Sequence, residues 1–341
     1  MIKIVTNKNF GKKEPKLIKL MRSWDPIEIC EFHKSIGNET TPLIHLPRLA
    51  THLGVENILV KDESQRLGLN SFKPLGASYC MSKQLEKKPN IEIFCSATDG
   101  NHGRAVAWMA RILGKKSVIY IPWGATESRI EAIKADGAKV HIVKGSYDMA
   151  VNKAYLRCEE ENQNSISETW SLVQDTSWGG YRKIPLDIMK GYWTQIHEIT
   201  QQTKGYDIDI IFLQSGVGSW AASIASYTMI HWKKLPLIVT IEPFSANCVY
   251  ESIKMGKRIT VKNNKKTIMA GLDCGTVSIM AWEILSNYIY KSISLSDRFT
   301  EKAMKVLANP IKDDYPIVAG ESGASGFGGM LALYEMCNEK K

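Results

Sequence analysis

The sequence lacks three patterns that would place it in familiar classes of protein. It has no Cys-x-x-Cys pair, so a zinc ribbon or a thioredoxin-type site is unsupported and no metal site is predicted. It has no run of about 18 apolar residues, so we expect no membrane-spanning helix. Its first 20 residues are basic but contain no long apolar stretch of a signal peptide. We therefore expect these residues to form a surface arm.

The cysteines and the charge restrict the class further. Seven cysteines, an odd number, in a chain of 341 residues fit reduced thiols and a cytoplasmic protein, although the sequence leaves open whether Cys248 and Cys274 pair. Lys and Arg outnumber Asp and Glu by 44 to 35, which gives a net charge of +9. The basic residues are spread along the whole chain, so the pattern favours a solvated surface and no nucleic-acid partner.

From about residue 58 onward, apolar stretches of strand length alternate with longer amphipathic stretches. This alternation predicts βαβ units and an α/β fold with a mostly parallel sheet. Residues 91–189 are expected to form a smaller α/β domain, and residues 1–90 with 190–341 a larger one. Ligands of such sheets bind at the carboxyl ends of the strands, so polar residues that follow strands are candidate site residues.

Two acidic residues follow predicted strands. In "SATDGNHGRAVAW", residues 96–108, Asp99 places a carboxylate at a strand end, and Asn101 and His102 fall at the start of the next helix. Asn101 and His102 could simply cap backbone N–H groups of that helix. In "VQDTSW", Asp175 also follows a strand, and a helix or turn cap is the alternative role there.

A glycine-rich turn follows a third strand, in "LQSGVGSWAAS", residues 213–223. Gly216 and Gly218 would let backbone N–H groups face outward, and the next helix begins directly after them, an arrangement that suits a phosphate. The turn is neither a Walker loop nor a G-x-G-x-x-G motif, because Ala221 holds the third glycine place. A plain tight turn is therefore the alternative.

A lysine lies between an apolar ring and a helix start in "LNSFKPLGASYC", residues 69–80. Lys73 in this setting should have a lowered pKa, and the neutral amine is the form that Schiff-base chemistry needs. The alternative is an ordinary surface lysine. Pro74 suits a first helical turn, so Lys73 is expected to be the last non-helical residue.

These motifs, in this order along an α/β chain, resemble the tryptophan-synthase-β type (fold type II) of pyridoxal phosphate enzyme. Five stretches sharpen the match: "LVKDESQRLGLNSFKPLGASY", "SATDGNHGRAVAW", "VQDTSWGGYRKIP", "IMAGLDCG" and "GESGASGFG". Together they resemble the diaminopropionate ammonia-lyase family over most of the chain. Asp99 is the most discriminating position, because the related threonine and serine dehydratases carry a small residue there.

The resemblance implies two open, mostly parallel α/β domains with pyridoxal 5'-phosphate in the cleft between them, the larger domain being the cofactor-binding one. Lys73 would hold the cofactor as an internal aldimine, and Asn101 would bond the 3′ oxygen of the ring. The implied cofactor-binding residues are Phe72, Lys73, Asn101, Gly216, Val217, Gly218 and Ser219.

The resemblance also implies a reaction, the α,β-elimination of 2,3-diaminopropionate to pyruvate and two ammonia, carried out by a homodimer. Lys73 would take the Cα proton from one enantiomer of the substrate and Asp99 from the other. Asp175 would orient or deprotonate the substrate amine. Two carboxylates suit a substrate that carries two ammonium groups.

Two departures from the family pattern leave alternatives open. The chain ends soon after "GESGASG", before a late strand whose Ser/Thr-rich turn normally contacts the pyridine nitrogen. One alternative is therefore a catalytically impaired cofactor-binding or subunit-interaction protein. Pro74, directly after the lysine, is the second departure. The closest enzymatic alternative is a serine or threonine dehydratase, which would not need Asp99.

Overall fold

The computed structural model describes residues 1–98, 100–262 and 265–339. The predicted alternation of strands and helices is confirmed. The elements in chain order are β1 (Ile2–Thr6), α1 (Lys16–Met21), α2 (Pro26–Ser35), β2 (Leu43–His45), α3 (Pro47–Leu53), β3 (Leu59–Lys61), α4 (Lys73–Lys87), β4 (Ile93–Ala97), α5 (Asn101–Ile112), β5 (Lys116–Pro122), α6 (Glu127–Ala135), β6 (Lys139–Val143), α7 (Tyr147–Gln163), β7 (Trp170–Leu172), α8 (Lys183–Gly191), α9 (Trp193–Gln202), β8 (Ile210–Gln214), α10 (Ser219–His231), β9 (Leu237–Pro243), α11 (Cys248–Met255), α12 (Ile279–Tyr288), β10 (Ile289–Leu295), α13 (Asp297–Ala308) and α14 (Glu321–Asn338).

The chain divides into two compact units. Unit 1 comprises Met1–Trp24, Thr40–Gln65 and Ile196–Lys341, and unit 2 comprises Asp25–Glu39 and Arg66–Gln195. The division predicted from sequence differs from this one mainly in residues 25–39 and 66–90, which belong to unit 2. The reason is packing, because α4 lies against α2, α5 and α8, all of which are in unit 2.

Unit 2 is built on a parallel sheet in the order β6-β5-β4-β7. One face of this sheet is covered by α7, which presents small buried residues, Ala150, Ala154 and Cys158, at a spacing of four. This spacing places them on one side of the helix, where they pack against β4, β5 and β7. The sheet therefore has the parallel, buried character that the apolar stretches predict.

Unit 1 is built on a second sheet in the order β1-β10-β9-β8, accompanied by the antiparallel pair β2-β3. The β8-β9 and β9-β10 pairs are parallel. Glycines allow α14 to lie close to its neighbours, since a Cβ at Gly326 would lie 3.2 Å from the Phe212 carbonyl oxygen of β8. A Cβ at Gly328 would lie 3.1 Å from the Phe299 carbonyl oxygen of α13.

The expectation of a surface arm at the amino terminus is wrong for residues 16–20, which belong to α1 and include the buried Leu17 and Ile18, and for residues 2–6. Residues 2–6 form β1, which pairs antiparallel with β10 from Ile2 opposite Leu295 to Thr6 opposite Lys291. Ile2 and Ile4 pack on the buried cluster of this sheet, and the apolar residues of "IKIV" explain why the segment is a strand.

All seven cysteines are free thiols in the structure. Cys248 and Cys274, whose pairing the sequence leaves open, are both buried and form no disulfide. In the described part of the chain, no helix is long and apolar enough to cross a membrane.

Candidate active site

Lys73 begins α4 and forms an ion pair with Asp175. Its Nζ donates a hydrogen bond to Asp175 Oδ2 over 2.5 Å, and the lysine side chain is 22% exposed. The helix begins one residue earlier than predicted, since Phe72 is the N-cap and Lys73 is already helical. Pro74 still occupies the first turn, where its missing N–H removes no helical hydrogen bond.

Asp175 is a buried carboxylate that stays ionised. Burial alone would favour its neutral form, but the charge of Lys73 and the hydrogen bond from its Nζ outweigh burial and lower the pKa of Asp175 to about 2. Asp175 is therefore an anion throughout the neutral range. The alternative role of a simple cap does not describe a carboxylate that pairs with Lys73.

The position of Asp175 is fixed by its neighbour Gln174. The side-chain oxygen of Gln174 accepts hydrogen bonds from the Ala97 N–H (3.0 Å) and the Ser96 hydroxyl (3.2 Å), both at the end of β4. Its backbone N–H donates to the Tyr181 hydroxyl over 2.9 Å. Because Gln174 is tied to β4 and to Tyr181, the next residue is held at the carboxyl end of the sheet.

His102 is buried in the first turn of α5 and belongs to the same cluster. Its Nε2 lies 2.9 Å from the Val173 carbonyl oxygen, so Nε2 carries the proton. Burial lowers the pKa of His102 and keeps the ring neutral, with opposing contributions from Asp175 and Lys73. Its Nδ1 is a buried acceptor with no hydrogen-bond partner among the residues that the structure describes.

Tyr192 completes the surroundings of Lys73. Burial raises the pKa of its hydroxyl, which lies within electrostatic range of both Lys73 and Asp175. Its ring meets the Phe72 ring edge-on, with the centroids 5.2 Å apart. The Phe72 ring in turn lies 5.5 Å from Lys73 Nζ. An apolar ring and a buried phenol therefore flank the amine.

Tyr192 reaches this position because α8 crosses α4 at two glycines. A Cβ at Gly76 would lie 2.5 Å from the Tyr192 ring, and a Cβ at Gly191 would lie 2.3 Å from the Leu75 carbonyl oxygen. Real Cβ atoms do not approach other atoms this closely, so both positions require glycine as the structure stands.

The glycine-rich turn of unit 1 has the form of an anion cradle. Gly218 has φ +87°, and α10 begins directly after it at Ser219. Gly216 is closely packed, because a Cβ there would lie 3.0 Å from Cys274 Sγ and 3.1 Å from the Gly271 carbonyl oxygen. The first N–H groups of a helix have no intrahelical acceptor, so this end of α10 offers donors to an anion.

The chain matches one protein family, described as pyridoxal-phosphate dependent enzyme, over residues 34–341. It belongs to this family. It is 38% identical over 325 residues to diaminopropionate ammonia-lyase of Escherichia coli K12, which covers 89% of this chain and 80% of that protein. It is 39% identical over 340 residues to the enzyme of the same name from Salmonella typhimurium, covering 91% of this chain and 82% of that protein.

A solved structure with the same architecture is the Escherichia coli diaminopropionate ammonia-lyase in complex with D-serine. Its TM-score is 0.90 at 35% identity, over 98% of this chain and 87% of the other. Threonine deaminase isoform 2 from Solanum lycopersicum, at 21% identity and a TM-score of 0.77, shares the fold. The predicted fold class, a fold type II pyridoxal phosphate enzyme, is confirmed.

The residues present fit the cofactor of this family. Pyridoxal phosphate needs an amine and donors for its phosphate; taken separately, unit 2 has the amine of Lys73 and unit 1 has the turn from Gly216 to Ser219. Two buried polar atoms support this fit, His102 Nδ1 in unit 2 and Ser215 Oγ beside the turn in unit 1. Neither has a hydrogen-bond partner within the described ranges. Buried polar groups without partners are unusual in a complete site.

The other predicted site residues stand as follows. Asn101 is the first residue of α5 and is exposed. Val217 accepts a hydrogen bond at its carbonyl from the Ser278 N–H over 2.9 Å, which holds the turn in place. Asp99 lies outside the described residues. In unit 2 the structure thus brings together Lys73, Phe72 and Asp175.

Sequence reasoning missed Tyr192 and Gln174 and gave His102 the role of a possible cap. Gln174 did carry a signal in the sequence. It is a polar residue just after a predicted strand, and a polar side chain that is buried there needs a hydrogen-bond partner, which β4 provides. Tyr192 follows an amphipathic helix with no such signal. The cap interpretation of His102 is wrong, because its ring donates a hydrogen bond to the carbonyl of Val173, the residue after β7.

Proposed function

We propose that this protein is a pyridoxal-phosphate-dependent lyase that converts 2,3-diaminopropionate and water to pyruvate and two ammonia. Two findings support the proposal. The first is the identity of 38–39% with diaminopropionate ammonia-lyases over about nine tenths of the chain. The second, which carries the proposal, is the buried Lys73–Asp175 pair at the carboxyl end of the unit 2 sheet.

Asp175 suits a substrate that carries two ammonium groups. A carboxylate with a pKa of about 2 remains charged throughout the neutral range, where the substrate carries ammonium groups. Its place beside Lys73 would direct a substrate ammonium group toward the amine that has to be displaced. Its buried setting strengthens this attraction relative to the same pair in water.

Lys73 would act twice in the reaction. Its amine would hold the cofactor before substrate binds and, once freed, would take the Cα proton from one enantiomer of the substrate. Pyridoxal phosphate, when bound, supplies the electron sink that acidifies this proton. Asp99 would take the proton from the other enantiomer, as the resemblance of the sequence implies. The hydroxyl of Tyr192, close to Lys73, would hold the freed amine in position.

A second candidate function is the dehydration of a hydroxy amino acid. One observation favours it, because the Escherichia coli relative has been solved in complex with D-serine. A threonine dehydratase of Solanum lycopersicum is also 31% identical over 222 residues, 64% of this chain and 33% of that protein. On this alternative, serine or threonine would be turned over without need of Asp99.

The experiment that separates the two functions is pyruvate release from D- and L-diaminopropionate, D- and L-serine, together with 2-oxobutyrate release from L-threonine. We expect both diaminopropionate enantiomers to be the best substrates, and Asp99→Asn to lower turnover of one enantiomer much more than that of the other. Turnover of serine alone, unchanged in Asp99→Asn, would contradict the ammonia-lyase proposal. Lys73→Ala, reconstituted with pyridoxal phosphate, is the control for lost cofactor attachment.

We further propose that the protein works in the cytoplasm as a homodimer. Seven free cysteines suit a reducing compartment. The homodimer rests on the resemblance to the family. Light scattering during size-exclusion chromatography tests it, and a mass near that of the 38.3 kDa chain at micromolar concentration would refute it.

A further inference from the structure

Unit 2 contains a cavity of about 590 Å³ at the amino-terminal ends of its strands. Lys116 begins β5, Lys139 begins β6 and Trp170 begins β7, and all three line the cavity. His102 and Asp175 lie at the opposite, carboxyl ends of β4 and β7. The cavity is therefore separate from the candidate active site in the same unit.

The cavity exists because α7 covers only part of the sheet. That helix packs on β4, β5 and β7 and contacts the edge strand β6 at Val143. Side chains alternate along a strand, so Lys116, Val118 and Tyr120 lie on one face of β5. Lys139 and His141, which pair with Val118 and Tyr120, lie on the same face of β6. Between α7 and β6 this face forms the floor of the cavity. Its volume is in the usual range for small-molecule sites.

The lining is cationic. Lys116, Lys139 and Arg157 carry permanent charges, and no acidic residue is among the described residues that line the cavity. Arg157 pairs with Glu160 and Glu161 on its own helix. Neither Lys116 nor Lys139 has an ion-pair partner in the described part of the chain. Two uncompensated ammonium groups at one opening suit a dianion.

The lining is also aromatic. Tyr120 and His141 are stacked, with ring centroids 5.2 Å apart and planes inclined by 19°. Trp170 lies below Arg157, whose guanidinium is 5.8 Å from its ring centroid. Burial lowers the pKa of His141, and the charges of Lys139 and Arg157 lower it further, so this ring is neutral and can pack against another ring. A ligand that fills the cavity meets aromatic walls and a cationic opening.

We propose that this cavity binds a small aromatic phosphate, with the phosphate at Lys116 and Lys139 and the ring against Tyr120, His141 and Trp170. A phosphate monoester carries nearly two negative charges at neutral pH, which matches the two unpaired lysines. A planar ring gains stacking and cation–π contacts from the walls, which inorganic phosphate cannot make.

The test is isothermal titration with phenyl phosphate of protein that has been loaded with pyridoxal phosphate and then freed of unbound cofactor, so that the turn of unit 1 is already filled and the cavity is not. We expect saturable binding of one molecule per chain, and binding of inorganic phosphate and of phenol at least about ten-fold weaker. The variant Lys116→Ala/Lys139→Ala should bind phenyl phosphate at least about ten-fold more weakly. Lys144→Ala, at the other end of β6, should bind like the parent protein.

Three results would overturn the proposal. They are the absence of saturable binding, equal affinity for phenyl phosphate and inorganic phosphate, and unchanged affinity in the double variant. Thermal unfolding of each variant establishes that the exposed lysines were removed without loss of the fold. The outcome does not depend on the reaction proposed above, because the comparison is between variants that leave Lys73 and its neighbours untouched.

Discussion

The crossing of α4 and α8 gives a sharp test of how Tyr192 is placed beside Lys73. In Gly191→Ala the new methyl group would lie 2.3 Å from the Leu75 carbonyl oxygen and 2.9 Å from the Gly76 Cα. Both are backbone atoms, so the overlap is relieved only if the two helices move apart. In Gly76→Ala the methyl group would meet the Tyr192 ring at 2.5 Å and the Ile188 Cγ2 at 2.8 Å. These are side-chain atoms, which can shift.

The two substitutions should therefore differ in cost. Alanine in place of glycine gains up to about 1 kcal/mol of helix propensity in a helix interior. Overpacking of a buried site costs about 1–3 kcal/mol when side chains can adjust. We expect Gly76→Ala to lose about 1–2 kcal/mol and Gly191→Ala about 2–4 kcal/mol of unfolding free energy, because its clash is with backbone. Gly323→Ala is the matched control, since nothing lies within 4 Å of a Cβ there.

Urea unfolding of the three variants measures these costs, and a double-mutant cycle assigns the cause. If the Tyr192 ring is what the methyl group of Gly76→Ala strikes, then Tyr192→Ala should cost at least about 1 kcal/mol less in the Gly76→Ala background than alone. The reasoning is refuted if Gly191→Ala is no more destabilising than Gly323→Ala. It is also refuted if the cycle shows no coupling between residues 76 and 192.

Three further predictions concern buried ionisable side chains. Lys61 and Glu198 form an ion pair over 2.8 Å, and each side chain is only 7% exposed. Lys61→Met should lower the unfolding free energy measured in urea by about 3–5 kcal/mol, because it leaves the Glu198 carboxylate buried without this partner. The double variant Lys61→Met/Glu198→Leu should recover most of this loss, and no recovery would contradict the explanation. Burial raises the pKa of Glu242 to about 8 from 4.5. The folded protein holds this proton more tightly than the unfolded chain does. The unfolding free energy that the proton contributes is fully present below pH about 4.5 and is lost as pH rises through about 8, by at most about 5 kcal/mol. Melting temperatures across this range should fall more steeply for the parent than for Glu242→Gln, and parallel curves would refute the assignment. Asp175→Asn should lower kcat/KM for diaminopropionate about 100-fold. The shape of the plot of kcat/KM against pH should not change above about pH 5, because Asp175 is already ionised there. If the decline of kcat/KM at low pH disappears in the variant, Asp175 titrates in the working range, which would contradict this prediction.

Much of the candidate site could be predicted because its signals are local. Asp175 follows the short strand β7 by three residues, and Lys73 is the first residue of a helix with proline in its first turn. Site residues of parallel sheets lie at the carboxyl ends of the strands, which is where Asp175 lies. Lys73, 102 positions away in sequence, meets Asp175 within hydrogen-bond distance from the first turn of α4. The glycine-rich turn was predictable for the same reason, since its positive φ at Gly218 and the helix start are written in adjacent residues.

The division of the chain into units was less predictable, because it depends on which helix packs on which. The segment from Arg66 to Lys88 follows β3 of unit 1 directly, and a reading along the chain keeps it there. Its helix α4 nevertheless buries small residues against α5 and α8, which lie further along the chain. No local pattern in α4 records these partners.

Tyr192 shows where such reasoning ends. In sequence it is a tyrosine after a glycine at the end of a helix, and both Gly76 and Gly191 look like residues that merely weaken their helices by about 1 kcal/mol each. The structure explains both glycines by one contact, because Gly76 of α4 and Gly191 of α8 lie where the two helices approach each other. Only this contact, between residues 115 positions apart, places a buried hydroxyl next to Lys73. A single sequence therefore shows only that such a glycine weakens its own helix. The structure shows which distant helix requires the glycine, and that requirement can be tested by substitution.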